Sequence, residues 1–234
     1  MYNNYNSFWR SIPVVTKNLI LINVLLFLAD IVLSSVIHFD LSKIMGLHYI
    51  TAKTFNPAQL VTYMFMHGSF THLFFNMFAL FMFGRFMEQT WGSKRFFIYY
   101  MITGIGAGLV QEAVWTVMYR DIIFGTYEYV NIGAVQPITA EAFLNIITTI
   151  GASGAVFGIL LAFGMTYPNM PLYIMFIPIP VKAKYIVIGY GLLELYLGFF
   201  RSGSGIAHFA HLGGMLFGII LILIWRKSGK INKY

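Results

Sequence analysis

Hydrophobic residues run along this chain in long, uninterrupted stretches that are separated by short polar segments. A helix needs roughly 20 residues to cross a hydrocarbon core of about 30 Å. Strands of a membrane barrel would alternate polar and apolar residues in segments of about 10, and these runs do not alternate. The pattern predicts an all-α membrane protein with six spanning helices, at Leu19–Ile37, Phe70–Phe86, Phe96–Met118, Ala152–Tyr167, Tyr185–Phe200 and Gly205–Trp225.

The segments between these runs divide the chain into three parts. Residues 1–18 contain Pro13 and show no periodic pattern, so we expect a polar N-terminal leader. Residues 19–226 are predicted to form a single transmembrane domain, and residues 227–234 a basic cytoplasmic tail. The first apolar run is too long for the core of a cleavable signal peptide, so we expect it to be retained.

Composition and charge agree with a membrane protein. The chain is 59% hydrophobic and only 10% charged, with a mean hydropathy of +0.74, whereas soluble domains are about half apolar and a quarter charged. The absence of cysteine excludes disulfides and a cysteine nucleophile. The basic residues that give the net charge of +7 lie in short loops beside apolar spans. There we expect them to set the orientation of the protein in the membrane rather than to bind nucleic acid. With a cytoplasmic N-terminus, eleven of the fifteen Lys and Arg residues lie inside, so we predict that both termini are cytoplasmic.

Polar side chains occur at one shallow depth in three of the predicted spans. His72 and Asn76 lie in the first turns of the second span, and Ser153 opens the fourth. His211 lies six residues into the sixth span, or about 9 Å at 1.5 Å per residue. All three spans enter from the outer face in the predicted topology. Strongly polar residues inside a membrane are functional candidates, because an unpartnered polar group there is costly.

These residue types fit nucleophilic catalysis. A serine needs a base before it can attack, and a neutral imidazole is the usual one, so Ser153 and His211 form a candidate pair. His72 and Asn76 are four residues apart, share a helix face and can both donate hydrogen bonds to a developing oxyanion.

Two glycine pairs explain how the spans could approach one another. Gly154 and Gly158 follow the serine, and Gly214 and Gly218 follow His211, each pair at a spacing of four residues. Such small-residue faces let membrane helices pack closely. We therefore expect the fourth span to pack against the sixth and to bring Ser153 to His211.

Four motifs together resemble the rhomboid family of intramembrane serine proteases. They are "GASG" for G-x-S-G, "AHLGGMLFG" for A-H-x-x-G-x-x-x-G, "HGSFTHLFFN" for H-x(4)-H-x(3)-N, and "EQTWGSKRF" at the end of the second helix. They occur in the family's order and cover the predicted core from Phe70 to Gly218.

The resemblance implies a rhomboid-like fold and a Ser153–His211 dyad that needs neither a third acidic residue nor a cofactor. His72, Asn76 and the main-chain N–H of Ser153 would form the oxyanion hole. The substrates would be single-span membrane proteins, cut near the outer surface of what is, for a bacterial-type member, the inner membrane. Lipids would be the other partners, and the oligomeric state stays open. The helix-packing residues at such a site would be Gly151, Gly154, Phe157, Gly158, Gly214 and Gly218.

The chain departs from the family pattern in two places. Where many members have a Trp-Arg pair in the first outer loop, it reads "NPAQLVTYMF". Where some members carry tyrosine one turn beyond the nucleophile, it has Phe157. A phenylalanine there can still stack beneath His211, but it cannot donate a hydrogen bond.

Other functions are less consistent with the sequence. A rhomboid-like protein that binds membrane clients without cutting them is the main alternative, although such relatives typically lack the serine or the histidine. A transporter is disfavoured by the lack of an internal repeat. His208 and His211 could share a metal, but the H-E-x-x-H pattern and an adjacent acid are missing from the sequence. Asp30 is the only aspartate within a span, which excludes an aspartyl protease.

The remaining polar residues of the spans are expected to be structural. His67 and His208 do not fit the position of the base. Glu88 lies at the cytoplasmic end of the second span near several basic residues, where a solvated ion pair is the ordinary outcome. Glu194 lies in the outer half of the fifth span, at a depth from which it could reach a loop or a histidine.

Overall fold

Six long helices form the body of the computed structural model, which describes residues 11–133, 136–173, 179–200 and 207–231. Within those residues, five helices are long and apolar enough to cross a membrane, and the fourth, with 14 residues, is shorter. The helices are α1 (Val14–Ile37), α2 (Phe70–Trp91), α3 (Ser93–Met118), α4 (Ser153–Thr166), α5 (Ala183–Phe200) and α6 (His208–Lys227).

The predicted helical membrane fold is confirmed, and its boundaries shift by a few residues. Helix α1 begins at Val14 rather than Leu19, and α2 continues to Trp91 rather than ending at Phe86. Helix α6 is described from His208 onward, and Gly205, its predicted start, lies outside the described residues. The count of six membrane crossings and the cytoplasmic location of both termini stay predictions.

Helix α4 lies at the centre of the bundle. Eleven of its fourteen residues are buried, and it packs against α2, α3, α5 and α6. A helix that is apolar on all sides is typical of a protein core. Because four other helices surround α4, a side chain in its first turn lies close to residues of those helices.

Short elements organise the connections outside the bundle. Short helices occur at Ser42–Met45, Gln59–Thr62, Arg120–Ile123 and Ala140–Ile146, with a 3-10 turn at Tyr63–Phe65. The antiparallel strand pairs are β1 (Leu47–His48) with β4 (Thr148–Thr149), β2 (Tyr129–Val130) with β3 (Ile138–Thr139), and β5 (Pro171–Tyr173) with β6 (Pro180–Lys182). The β1–β4 pair joins the two long connections just before Ser153, and thereby positions the start of α4.

The expected role of Glu88 in a solvated ion pair is wrong. Its side chain is buried, and its carboxylate accepts hydrogen bonds from Val15 N, Thr16 N, Thr16 Oγ1 and Ser93 Oγ at 2.6–2.9 Å. The first N–H groups of a helix have no partner within that helix, and a carboxylate there also complements the helix dipole. Glu88 therefore caps α1 and ties it to α2 and α3, which explains why α1 begins earlier than predicted.

We expect Glu88→Ala to lower the stability of the folded protein by about 2–4 kcal/mol, because it leaves buried donors without an acceptor. Thermal unfolding of the purified protein in detergent measures the loss. The exposed Glu128, in the connection between α3 and α4, provides the control, and Glu128→Ala is expected to unfold at the wild-type temperature. Equal unfolding temperatures for the Glu88 variant and the wild type would contradict the capping role.

Candidate active site

A glycine just before α4 allows Ser153 to approach α2 closely. Gly151 has a φ of +133°, and its N–H donates to the Tyr63 carbonyl at 2.9 Å. A Cβ at this position would lie 2.8 Å from the His72 ring. Only glycine satisfies both the backbone conformation and the close approach. The result is that Ser153 begins α4 beside His72.

Ser153 and His211 meet across the α4–α6 interface. The Ser153 Oγ lies 2.8 Å from the His211 Nε2, which is hydrogen-bond distance. His211 is buried, whereas Ser153 is half-buried. The two side chains are 58 residues apart in sequence, so the packing of α4 against α6 is what brings them together.

The glycine contacts agree only in part with the predicted pairing of the two motifs. A Cβ on Gly214 would overlap the Gly154 carbonyl oxygen, so these two glycines lie at the α4–α6 contact. A Cβ on Gly158 would instead lie 2.7 Å from the Cβ of Thr103 on α3. A Cβ on Gly218 would overlap the hydroxyl of Tyr99, also on α3. A Cβ on Gly154 would likewise lie 2.4 Å from the Cβ of Ala107 on α3. Three of the four glycines thus serve the packing of α3, because α4 and α6 both pack against that helix.

The ring of His211 is held on two further sides. Phe157 stacks on it with ring centroids 4.3 Å apart and an angle of 6° between the planes. On the edge away from Ser153, the His211 Nδ1 lies 2.9 Å from Glu194 Oε2, without the alignment of a hydrogen bond. The same oxygen lies 2.7 Å from the Nδ1 of His208. Both histidines and the glutamate are buried.

Glu194 was expected within reach of a loop or a histidine, whereas a metal site was disfavoured because no acid is adjacent to the histidines in sequence. Glu194, His208 and His211 offer ligand atoms within 4.8 Å of one another, a spacing that a metal ion could bridge. However, ligands of a tetrahedral zinc ion lie roughly 3.3 Å apart. The contacts of 2.7 and 2.9 Å are shorter and match hydrogen-bonding distances. These distances favour direct contacts between the Glu194 carboxylate and the two histidine rings over a shared metal ion.

His72 and Asn76 lie in the first two turns of α2. The His72 ring abuts Gly151, two residues before the candidate nucleophile. Asn76 is buried, and its Nδ2 donates to the His72 carbonyl at 3.0 Å. An amide has two N–H donors, so this contact uses one of them. Their role in stabilising an oxyanion stays a prediction, as does the catalytic role of Ser153 and His211.

His67 lies just outside α2 and packs against the same group. Its ring contacts the His72 ring edge-on, with centroids 4.9 Å apart. The side chain is buried, and this burial lowers the pKa of His67 to about 3. The ring is therefore neutral at pH 7 and supports His72 without adding charge to the site.

One residue of this site, Glu194, contacts more of its neighbours than the sequence predicted. Glu194 was expected to be structural, with a loop or a histidine within reach, yet it contacts both His208 and His211. Its signal in the sequence was a single carboxylate within an otherwise apolar span, which is costly unless partnered. What sequence could not supply was the direction in which that carboxylate points around the helix.

Comparison with known proteins identifies the family. The model of the Rhomboid domain matches residues 54–228, which include α2 to α6. The chain belongs to the rhomboid family. With its apolar helices, this rhomboid is an integral membrane protein.

Relatives of this rhomboid occur in a bacterium and in two eukaryotes. Rhomboid protease AarA of Providencia stuartii is 29% identical over 174 residues, which cover 69% of this chain and 53% of the relative. Rhomboid-like protein 11, chloroplastic, of Arabidopsis thaliana is 25% identical over 232 residues, 89% of this chain and 64% of the relative. Rhomboid protein 1, mitochondrial, of Saccharomyces cerevisiae is 27% identical over 172 residues, 74% and 42% respectively. This rhomboid therefore spans roughly half the length of these relatives.

Proposed function

We propose that this rhomboid is an intramembrane serine endopeptidase in which Ser153 is the nucleophile and His211 the general base. The observation that carries the proposal is the 2.8 Å contact between Ser153 Oγ and His211 Nε2. Family membership and the similarity to a rhomboid protease support the same chemistry.

The proposed reaction has two halves. His211 Nε2 takes the proton of Ser153 Oγ as the oxygen attacks the carbonyl carbon of the scissile peptide. The protonated ring then gives this proton to the leaving amine as the C–N bond breaks, which leaves an acyl-enzyme. A water molecule, activated by the same nitrogen, attacks the acyl group, and Ser153 regains its proton as the acid product leaves. No cofactor is needed for any of these steps.

The start of α4 supplies a favourable electrostatic environment for the oxyanion. Ser153 is the first residue of the helix, where N–H groups lack partners within the helix and the dipole is positive. In the proposal, the Ser153 N–H and the side chains of His72 and Asn76 donate to the negatively charged oxygen of the tetrahedral intermediate.

We further propose that the substrates are single-span membrane proteins that are cut near the outer face of the bacterial inner membrane. The support is the shallow position of the site near the outer ends of α2, α4 and α6 in the topology predicted from the Lys and Arg distribution. A substrate helix must present a backbone carbonyl to Ser153, and an unwound segment near the membrane surface can do so. The surrounding lipids are the second class of partner.

Cleavage of a fluorogenic single-span substrate by the purified protein in lipid vesicles tests the proposal. We expect a time-dependent signal and two fragments whose masses locate one cut near the outer end of the span. A protein that binds the substrate but leaves it intact would be a rhomboid-like client-binding protein. That outcome would contradict the proposal.

Asn76→Ala is expected to lower kcat by about 10²–10³ and to leave KM nearly unchanged, because the lost donor acts on charge that develops in the transition state. Asn145→Ala in the outer connection is the matched control, since the hydrogen bonds of its side chain among the described residues are with Thr54. Steady-state kinetics and thermal unfolding are measured on both variants. If Asn76→Ala lowers only the unfolding temperature, Asn76 is a structural link within α2.

A further inference from the structure

Glu194 is an unusual residue for its position. It lies on α5, where Leu193 and Leu195 on either side are 46% and 43% exposed on the apolar outer surface. The Glu194 side chain is only 10% exposed and turns toward α6. A buried carboxylate carries a large desolvation cost, which direct partners must offset. The chemical identity of those partners indicates the role of the Glu194 carboxylate.

Both partners are histidines, and one of them is the proposed base. A single carboxylate oxygen, Oε2, lies 2.7 Å from His208 Nδ1 and 2.9 Å from His211 Nδ1. The opposite nitrogen of His211, Nε2, lies 2.8 Å from Ser153 Oγ. The imidazole of His211 therefore lies between a carboxylate on one edge and a serine hydroxyl on the other.

A carboxylate beside Nδ1 favours one of the two neutral forms of the His211 ring. A carboxylate accepts hydrogen bonds, so the proton is most stable on Nδ1, where it faces Glu194. The lone pair is then on Nε2, where a base must have it in order to accept the proton of Ser153. When the ring becomes protonated during the reaction, the negative charge of Glu194 stabilises the resulting cation.

We propose that Glu194 is a positioning residue for His211, so that the site operates as a Ser153–His211–Glu194 triad rather than as a dyad. This inference rests on the proposed function. Glu194 takes up no proton: the proton of Ser153 moves to Nε2 and then to the leaving group. His208 holds the carboxylate through its own hydrogen bond to Oε2. The contact from His211 Nδ1 is not aligned as a hydrogen bond in the free protein, and in the proposal it becomes one when substrate is bound, as catalytic hydrogen bonds often do.

The expected effect of removing this charge is a fall in kcat. The loss of the acid from a serine protease triad costs roughly 10⁴ in kcat. Here Phe157 also holds the ring of His211 by stacking on it, so we expect Glu194→Gln to lower kcat by about 10–100-fold. KM is expected to stay within about 2-fold, because Glu194 acts through the base rather than on the substrate.

Comparison of two variants separates charge from shape. Glu194→Gln keeps the shape and loses the charge, whereas Glu194→Asp keeps the charge and shortens the side chain. We expect kcat to decrease in the order wild type, Asp, Gln. A purely structural role predicts the reverse order for the variants, because the glutamine fits the space better. Glu128→Gln, an exposed carboxylate changed in the same way, is the control and is expected to keep wild-type kinetics.

Kinetics on folded protein in vesicles, with the single-span substrate, decide the question. Wild-type kcat for Glu194→Gln, or a kcat above that of Glu194→Asp, overturns the inference and leaves the proposed function intact. If Glu194→Gln does not fold, Glu194→Asp is compared with Glu194→Asn, for which the same order is expected. A wild-type protein that cleaves nothing overturns the proposed function, and this inference with it.

Discussion

Ser153→Ala and His211→Ala are each expected to abolish proteolysis while the protein remains folded. The first change removes the attacking oxygen, and the second removes the ring nitrogen that lies 2.8 Å from it. Loss of a nucleophile or base typically costs about 10⁶ in kcat. Because the two groups act as a unit, the double variant should be scarcely worse than either single variant. Turnover of the single-span substrate in vesicles measures the effect.

Ser35→Ala is the control for this pair of variants. Ser35 lies on α1, is exposed, and its hydroxyl donates only to backbone carbonyls of its own helix, at Ile31 and Val32. We expect this variant to cleave at the wild-type rate. Robust cleavage by Ser153→Ala would end the assignment of the nucleophile, whatever the control does.

Gly214→Leu is expected to inactivate the protein before it unfolds it. Any Cβ at this position overlaps the carbonyl oxygen of Gly154, so a larger side chain must push α6 away from α4. Ser153 and His211 lie on those two helices, and a displacement of about 1 Å costs roughly 100-fold in rate. The fall in kcat should therefore exceed what the loss of folded protein explains. Kinetics are measured on monodisperse protein, with the folded fraction determined in parallel.

The matched control is Gly189→Leu on α5. No atom of the described residues lies within 4 Å of a Cβ at this position, so a side chain there does not meet the overlap that Gly214 would impose. Gly158→Leu is expected to act differently, because its nearest neighbour is Thr103 on α3 rather than α6. Near-normal cleavage by Gly214→Leu would show that the Gly154–Gly214 contact does not set the distance between Ser153 and His211.

The helices and the position of Ser153 were predictable because membrane spans have a strong local signal. A run of apolar residues defines a helix without reference to the rest of the chain, and glycine spacing indicates where helices approach closely. The juxtaposition of Gly154 and Gly214 followed from this reasoning. The helix that Gly158 and Gly218 contact could not be predicted in this way. A small residue indicates close packing, but it does not indicate which helix packs against it.

The errors concern residues whose partners are far away in sequence. Glu88 has basic residues nearby in sequence, yet it caps α1, whose first residues lie 72 and 73 positions away. Glu194 was expected within reach of a histidine, but the sequence did not show that both of its partners are on α6. The β1–β4 pair joins segments about 100 residues apart and consists of two residues on each side, too few for a strand pattern. Such features depend on tertiary contacts, and the local sequence gives little indication of those contacts.

The most direct test of the central proposal is covalent labelling by a mechanism-based inhibitor that reacts with activated serines. The folded protein is treated with a fluorophosphonate, digested, and sequenced by mass spectrometry. We expect a single adduct on Ser153 in the wild type, and at least 100-fold slower labelling in His211→Ala, because the hydroxyl then lacks its base. Labelling of Ser153 at the same rate with and without His211, or no labelling of Ser153 in a protein that remains folded, would contradict the account.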